Sequence, residues 1–247
     1  EQWKIYVIYT SSSEEFEKGY DSLKYDWDYS WLYFHQESVY GGFKQALETT
    51  TKEWGEYVLF FTDDDIVYRK FEHDFDFLSN AFEQNKELFC ISLRLGTNTF
   101  VQDQHRNTMC LIPDSVIMQE DTLRSWNWKD ESMGCNETNF GYPFSVDGHL
   151  FKSKDASWII ANTDYYNPNT LEARAHRTHV MDTEYAINIS NDMACFKNSY
   201  VINTPINRVQ ETYTNSAGIF FGSPQETLNE KFLQGKRLTL DGMDFSI

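Results

Sequence analysis

Tyr57-Val58-Leu59-Phe60-Phe61-Thr62-Asp63-Asp64-Asp65 is an apolar, ring-rich run that ends in three consecutive aspartates. Five apolar or aromatic residues in a row, with no charge among them, read as a strand buried on both faces. In open α/β sheets ligands gather beyond the carboxyl ends of the strands, so the aspartates fall where a site is expected. Alternate side chains of an extended segment share a face, which predicts that Asp63 and Asp65 converge while Asp64 points away. Packed carboxylates repel one another, a cost that a divalent cation removes; their oxygens suit Mg²⁺ or Mn²⁺.

Outward from that strand, the first part of the chain alternates. Lys4–Tyr9 reads as a strand, and Ser13 with the acids Glu14 to Glu17 reads as the start of a helix. Trp31–Phe34 is a second strand, Tyr40-Gly41-Gly42 a turn, Phe43–Thr50 a helix, Phe71–Gln84 another, and Leu88–Leu93 a further strand. Strands separated by helices predict an α/β fold with a mostly parallel central sheet and helices on both faces. Beyond Gly96 the pattern loosens: Thr97–Gln104 and Arg124–Asn139 read as long loops, Phe144–Phe151 and Ser199–Asn203 as strands, and a helix starts near Asn169. The expectation is one domain over residues 1–247, with a regular nucleotide-binding half at 1–95 and an irregular acceptor-side half at 96–247.

Charge narrows the partners. Lys and Arg total 21 against 38 Asp and Glu, a net charge of −17 in 247 residues. Such a surface repels nucleic acid polymers and anionic membranes, and a phosphate ligand needs a metal or a few placed cations to bind. The 15 Tyr, 19 Phe and 7 Trp build cores and can also form stacking platforms for sugars and bases. Cys90, Cys110, Cys135 and Cys195 form no CxxC pair, and reduced thiols in a cytoplasmic protein are the default. No apolar run is long enough for a transmembrane segment, and the first residues lack the form of a signal peptide. Sequons at Asn136 and Asn188 are short enough to arise by chance.

The segment Gly41-Gly42-Phe43-Lys44-Gln45-Ala46-Leu47, followed by Gly55-Glu56-Tyr57 and the strand ending in Asp63-Asp64-Asp65, resembles glycosyltransferases of the GT-A fold, with their glycine-containing turn, helix, strand and Asp-x-Asp motif. Tyr142-Pro143-Phe144-Ser145-Val146-Asp147-Gly148-His149, Asn167-Pro168-Asn169-Thr170-Leu171-Glu172, Asn203-Thr204-Pro205-Ile206-Asn207-Arg208-Val209-Gln210 and the tail Leu228 to Gly235 resemble a less-studied branch with bacterial and large-virus members. Members usually begin with a further strand and helix, and this chain starts at the segment similar to their second strand.

The resemblance implies a nucleoside diphosphate sugar as donor, with uridine or another pyrimidine as base, and a glycan or other hydroxyl compound as acceptor. It implies Asp65 as a direct metal ligand, Asp63 on the ribose or a metal-bound water, and Asp64 beside them on the donor side. Thr10 and Ser11 become candidates for the nucleoside, and Tyr40 and Lys44 for base or phosphate. Arg208, next to Asn207, becomes the late cation that covers the phosphates. His149 is the candidate late histidine ligand, ahead of His176 and His179. Asp147 is placed to hold sugar hydroxyls or serve catalysis, and Glu172 occupies the place of the general base in inverting enzymes. Two other readings stand beside this one. A metal-dependent nucleotidyltransferase would use the same cation but carry a basic Gly-rich loop near its first strand. A carbohydrate-binding module would use the rings but is mostly all-β.

Overall fold

The computed structural model describes residues 3–37, 42–99, 101–102, 108–109, 113–119, 121–130, 138–181, 189–203 and 225–241. They fall into two compact units, one of Glu1–Glu53, Tyr165–Asn167 and Pro205–Met243, the other of Trp54–Asp164, Pro168–Thr204 and Asp244–Ile247.

In the first unit β1 (Ile5–Tyr9) and β2 (Leu32–Gln36) pair in parallel, joined by helix α1 (Glu14–Asp26). Ser13 caps α1: its side chain accepts from the Phe16 N–H at 3.3 Å, and three acids occupy the first turn, where the helix dipole favours them. Helix α2 (Gly42–Thr50) follows, burying Phe43 and Leu47. The ring of Phe43 meets Tyr165 edge-on at 5.8 Å.

The second unit carries a six-stranded sheet. Its strands are β3 (Tyr57–Leu59), β5 (Leu88–Ser92), β8 (Val116–Met118), β9 (Leu123–Asn127), β10 (His149–Lys152) and β11 (Asp192–Phe196). They lie in the order β3-β10-β5-β11-β9-β8. Two smaller antiparallel pairs complete the strands: β4 (Asp65–Val67) with β12 (Val201–Asn203), and β6 (Val101–Gln102) with β7 (Thr108–Met109). Helix α3 (Phe75–Gln84) is capped by Asp74, which accepts from the Phe77 N–H at 2.9 Å. Helix α4 (Ser153–Asn162) leaves β10 directly and packs back on β10 and β3. Helix α5 (Pro168–Ala175) continues into a π-helical segment, His176–Met181. Helix α6 (Gln225–Leu233) belongs to the first unit, where it packs on α1.

The α/β class is as expected, but the expected mostly parallel sheet is not. In the six-stranded sheet only β5 and β11 run parallel, and every other neighbouring pair is antiparallel. On one side of the sheet the cause is β10, which enters between β3 and β5 and runs against both; on the other, β9 runs against both β11 and β8. β3 and β5 still point the same way, as their helix-linked order requires, but a strand from the later part of the chain separates them. Several boundaries also shift: the strand read at Phe144–Phe151 begins only at His149 as β10, and Val101–Gln102, inside the segment read as loop at Thr97–Gln104, forms β6. β9 occupies the start of a segment read as loop, because Leu123, Ser125 and Trp126 are buried although Arg124 and Asn127 interrupt the apolar pattern. The helix read from Phe71 begins at Phe75, where Asp74 offers the cap.

All five residues of β5 are buried, as its central place demands. Leu78, Ala81 and Phe82 of α3 join Leu88, Ile91, Leu123, Leu150 and Ala194 in one apolar cluster. Phe151 is met by Phe89 and Phe144 at 5.3 Å each and by Phe60 at 6.0 Å. Phe82 is 1% exposed, so Phe82→Ala is expected to cost about 3–5 kcal/mol, a deletion from a core that cannot collapse around the gap. Asp74→Ala, which removes only a cap, is expected to cost about 1 kcal/mol. Urea unfolding of the two variants beside the parent chain measures both.

Candidate functional site

The aspartate run does not stay extended. The Asp65 N–H donates to the Thr62 carbonyl at 3.2 Å, closing a turn over Asp63 and Asp64. The alternation rule therefore fails here, and the aspartates sort differently from the expectation. Asp63 is exposed, whereas Asp64 and Asp65 are half-buried and face common partners. Asn203 is the Cα partner of Asp65 across the β4–β12 ladder. Its Nδ2 donates to Asp64 Oδ1 at 3.1 Å and to Asp65 Oδ1 at 3.2 Å. The backbone N–H of Thr62 donates to Asp65 Oδ2 at 3.1 Å.

Thr62 also draws in Asp147, which lies in the loop before β10. Its Oγ1 is 2.7 Å from Asp64 Oδ1 and 2.8 Å from Asp147 Oδ1. A hydroxyl has one proton and can donate to one of these oxygens only. Both contacts are hydrogen bonds when one carboxyl group carries a proton of its own. The electrostatics agree. Burial raises Asp64 above the usual carboxylate range, with Asp147 and Asp63 adding to the effect. Burial, then Asp147, pushes Asp65 up to about 7.

Glu172 completes the group from α5. Its Oε1 accepts from the Val146 N–H at 2.6 Å, so the carboxyl group braces the loop that carries Asp147. Burial, followed by the charge of Asp147, pushes Glu172 up to about 8. Gly148 makes the loop's turn possible: its φ is +68°, a region where a side chain is strained. Its N–H donates to the Phe60 carbonyl at 2.9 Å, and its own carbonyl accepts from the Leu93 N–H at 2.7 Å. Asp147 is thus tied to the ends of both β3 and β5.

His149 is fully buried on β10. Its Nδ1 lies 3.4 Å from the Pro143 carbonyl and 3.9 Å from Cys90 Sγ, while Nε2 has no partner among the described residues. Burial, then the field of Arg94, lowers its pKa to about 3, which keeps the ring neutral. His176 stacks on Tyr142 at 4.5 Å and His179 Nε2 is 3.1 Å from Thr163 Oγ1.

The structure therefore brings together Asp64, Asp65, Asp147 and Glu172 of the expected residues and leaves Asp63 at the rim. Thr10, Ser11 and Lys44 belong to the other compact unit. There Ser11 donates to Glu17, Thr10 is exposed, and Lys44 lies 3.9 Å from Glu48 and over the Tyr165 ring at 5.1 Å. Tyr40 and Arg208 lie outside the described residues. Three members of the corner had not been singled out as site residues in the sequence: Thr62, Asn203 and Arg94. Arg94 was the accessible one, since it follows a strand parallel in direction to β3, and the rule that placed the aspartates applies equally to that strand's exit. Asn203 had no local signal, because its role comes from the β4–β12 pairing.

For a divalent cation, the donor set is chemically apt: hard carboxylate oxygens, raised in pKa by burial and by one another. Among the described residues no three His, Cys, Asp or Glu side chains converge into a ready cage. One or two carboxylates suffice for Mg²⁺ when substrate phosphates and water supply the remaining oxygens. Among the described residues, too, no helix is long and apolar enough to cross a membrane.

Fold and site together define an α/β protein with an acidic corner at the exits of β3 and β5. No protein-family model matches the chain, and no curated protein matches it.

The raised carboxyl groups give a signed pH dependence. In the folded chain Asp65 and Glu172 keep protons up to about pH 7 and 8, whereas unfolded they ionise near 3.8 and 4.5. The folded state then binds more protons, so their contribution to stability is lost as pH rises through those values. His149, lowered from 6.5, works in the opposite sense below pH 6.5. With chelator present, stability is expected to fall by on the order of 1–2 kcal/mol between about pH 6.5 and 8. Glu172→Gln, which keeps an oxygen for Val146, should flatten that fall in denaturant titrations at the two pH values.

Proposed function

We propose that the chain is a metal-dependent glycosyltransferase that moves a sugar from a nucleoside diphosphate donor, uridine-linked in the first instance, to a hydroxyl acceptor such as a glycan. The observation that carries this reading is the meeting of Asp64, Asp65 and Asp147 around one hydroxyl and one amide, Thr62 and Asn203. Three carboxylates crowded into a partly buried corner of an acidic protein are most stable with a cation among them. The mixed α/β content also supports an enzyme over a carbohydrate-binding module, which is mostly all-β.

Asp65 and Asp64 would hold Mn²⁺ or Mg²⁺, and the shared Thr62 hydroxyl links Asp147 to Asp64. When bound, the ion would supply Lewis-acid stabilisation of the departing diphosphate. Asn203 orients the two aspartates by donating one amide group to both. Thr62 sets the spacing between that pair and Asp147. We assign the acceptor's proton to Asp147, because Glu172 is engaged with the Val146 N–H and serves to position the loop. Asp63, exposed beside the pair, would remain open to the donor or to a metal-bound water.

Titration calorimetry with uridine diphosphate, in Mn²⁺ and in chelator, tests the site. Asp65→Ala should weaken Mn²⁺-dependent binding by roughly 100-fold or more, beyond the 10–100-fold typical of residues that merely support a metal ligand. Its thermal unfolding should stay close to that of the parent chain. Undiminished affinity in the folded variant would remove Asp65 from the site and the reading with it.

A further inference from the structure

An acidic corner that takes a diphosphate needs a positive group for the anion as well as carboxylates for the cation. Arg94 is placed to be that group. The chain leaves β5 at Ser92, and the next residue is held on two sides: the Leu93 N–H donates to the Gly148 carbonyl at 2.7 Å, and the Leu93 carbonyl accepts from the Tyr200 and Val201 N–H groups at 2.7 and 3.1 Å. Arg94 follows, its Cβ 3.5 Å from the position a Cβ would take on Gly148. Its stem therefore starts beside the loop of Asp147 and beside the strand that ends at Asn203.

The guanidinium acts on the corner without being used up by it. Its field lowers the pKa of Asp65, Glu172 and His149, yet in each case through space and not through a hydrogen bond. Arg94 Nε is buried and donates to nothing among the described residues. An arginine whose purpose is to neutralise carboxylates ordinarily spends its planar fork on one of them, with two parallel N–H donors. A buried donor left over beside an acidic cluster matches a ligand that brings its own oxygens, and phosphate presents them in the geometry the fork fits.

We propose that Arg94 binds the phosphate oxygens of the donor, so that the corner is a paired site: carboxylates for the cation, Arg94 for the diphosphate it accompanies. This rests on the glycosyltransferase reading for the identity of the donor, but the anion site itself is testable with inorganic pyrophosphate. It also explains how a chain of net charge −17 admits a polyanion at an acidic corner.

The experiment is calorimetric titration of the parent chain, Arg94→Gln and Arg94→Lys with inorganic pyrophosphate in saturating Mn²⁺, with Mn²⁺ alone titrated into each, and with thermal unfolding as a check on folding. Arg94→Gln should lose on the order of 30-fold or more in pyrophosphate affinity, and Arg94→Lys about 10-fold, because the charge remains and the fork does not. Mn²⁺ alone should bind both variants at least as tightly as the parent, since Arg94→Gln removes a competing positive charge and Arg94→Lys adds none. If Arg94→Gln does not fold, Arg94→Lys carries the test. Unchanged pyrophosphate affinity in the folded variants, a parent chain that binds no pyrophosphate, or an equal loss of Mn²⁺ alone overturns the proposal. Turnover of a nucleotide sugar alongside undiminished pyrophosphate binding by the variants would defeat Arg94 and leave the glycosyltransferase reading in place. Arg94-dependent pyrophosphate binding without turnover of any nucleotide sugar would do the reverse.

Discussion

Repulsion among carboxylates is the constraint around which the acidic corner is built. Asp64, Asp65, Asp147 and Glu172 come from three separate parts of the chain, and burial together with the neighbouring charge of Asp147 raises Asp64, Asp65 and Glu172 above the usual carboxylate range. No ordinary packing would assemble such a group. It persists because donors are supplied one by one: the Thr62 backbone and hydroxyl, the Asn203 amide and the Val146 N–H. Each of these is a hydrogen bond to an acidic oxygen in a place partly shielded from water, where an unpartnered carboxylate is costly.

The fold serves this constraint through β10. That strand pairs with β3 on one side and β5 on the other, and the loop entering it bears Asp147. Gly148 then binds both neighbours through its own N–H and carbonyl, with a backbone conformation that suits glycine. Asp147 is consequently fixed relative to the aspartates beyond β3 and to Arg94 beyond β5. The buried core beneath, centred on β5 and on the rings around Phe151, supplies the rigidity that a site with four acidic groups requires.

Local signals in the chain were dependable where the physics is local. Ser13 and the acids after it mark the start of α1, and the apolar runs at Tyr57 and Leu88 mark strands whatever their partners. The acidic residues of the site were visible as well, since Asp64, Asp65, Asp147 and Glu172 each stand next to a strand end, a loop or a helix start. Their division of labour was less visible. Asp64 was expected to point away, but a turn at Thr62–Asp65 replaces the extended geometry on which that expectation relied. Glu172 stood as a candidate base, and its engagement with Val146 depends on residues 26 apart in the chain.

From the sequence alone came the α/β class, the position of most strands and helices, and a set of acids gathered near strand exits, because capping, burial and periodicity act over a few residues. Sheet order lay beyond it. The insertion of β10 between β3 and β5, running against both, the pairing of β9 with β11, and the meeting of Asn203 with Asp65 are choices among strand pairings, and each pairing joins segments far apart in the chain. Only the tertiary structure decides them, since the free energy of a ladder and of a shared core depends on which partners fill the neighbouring places and not on any one segment's own preference.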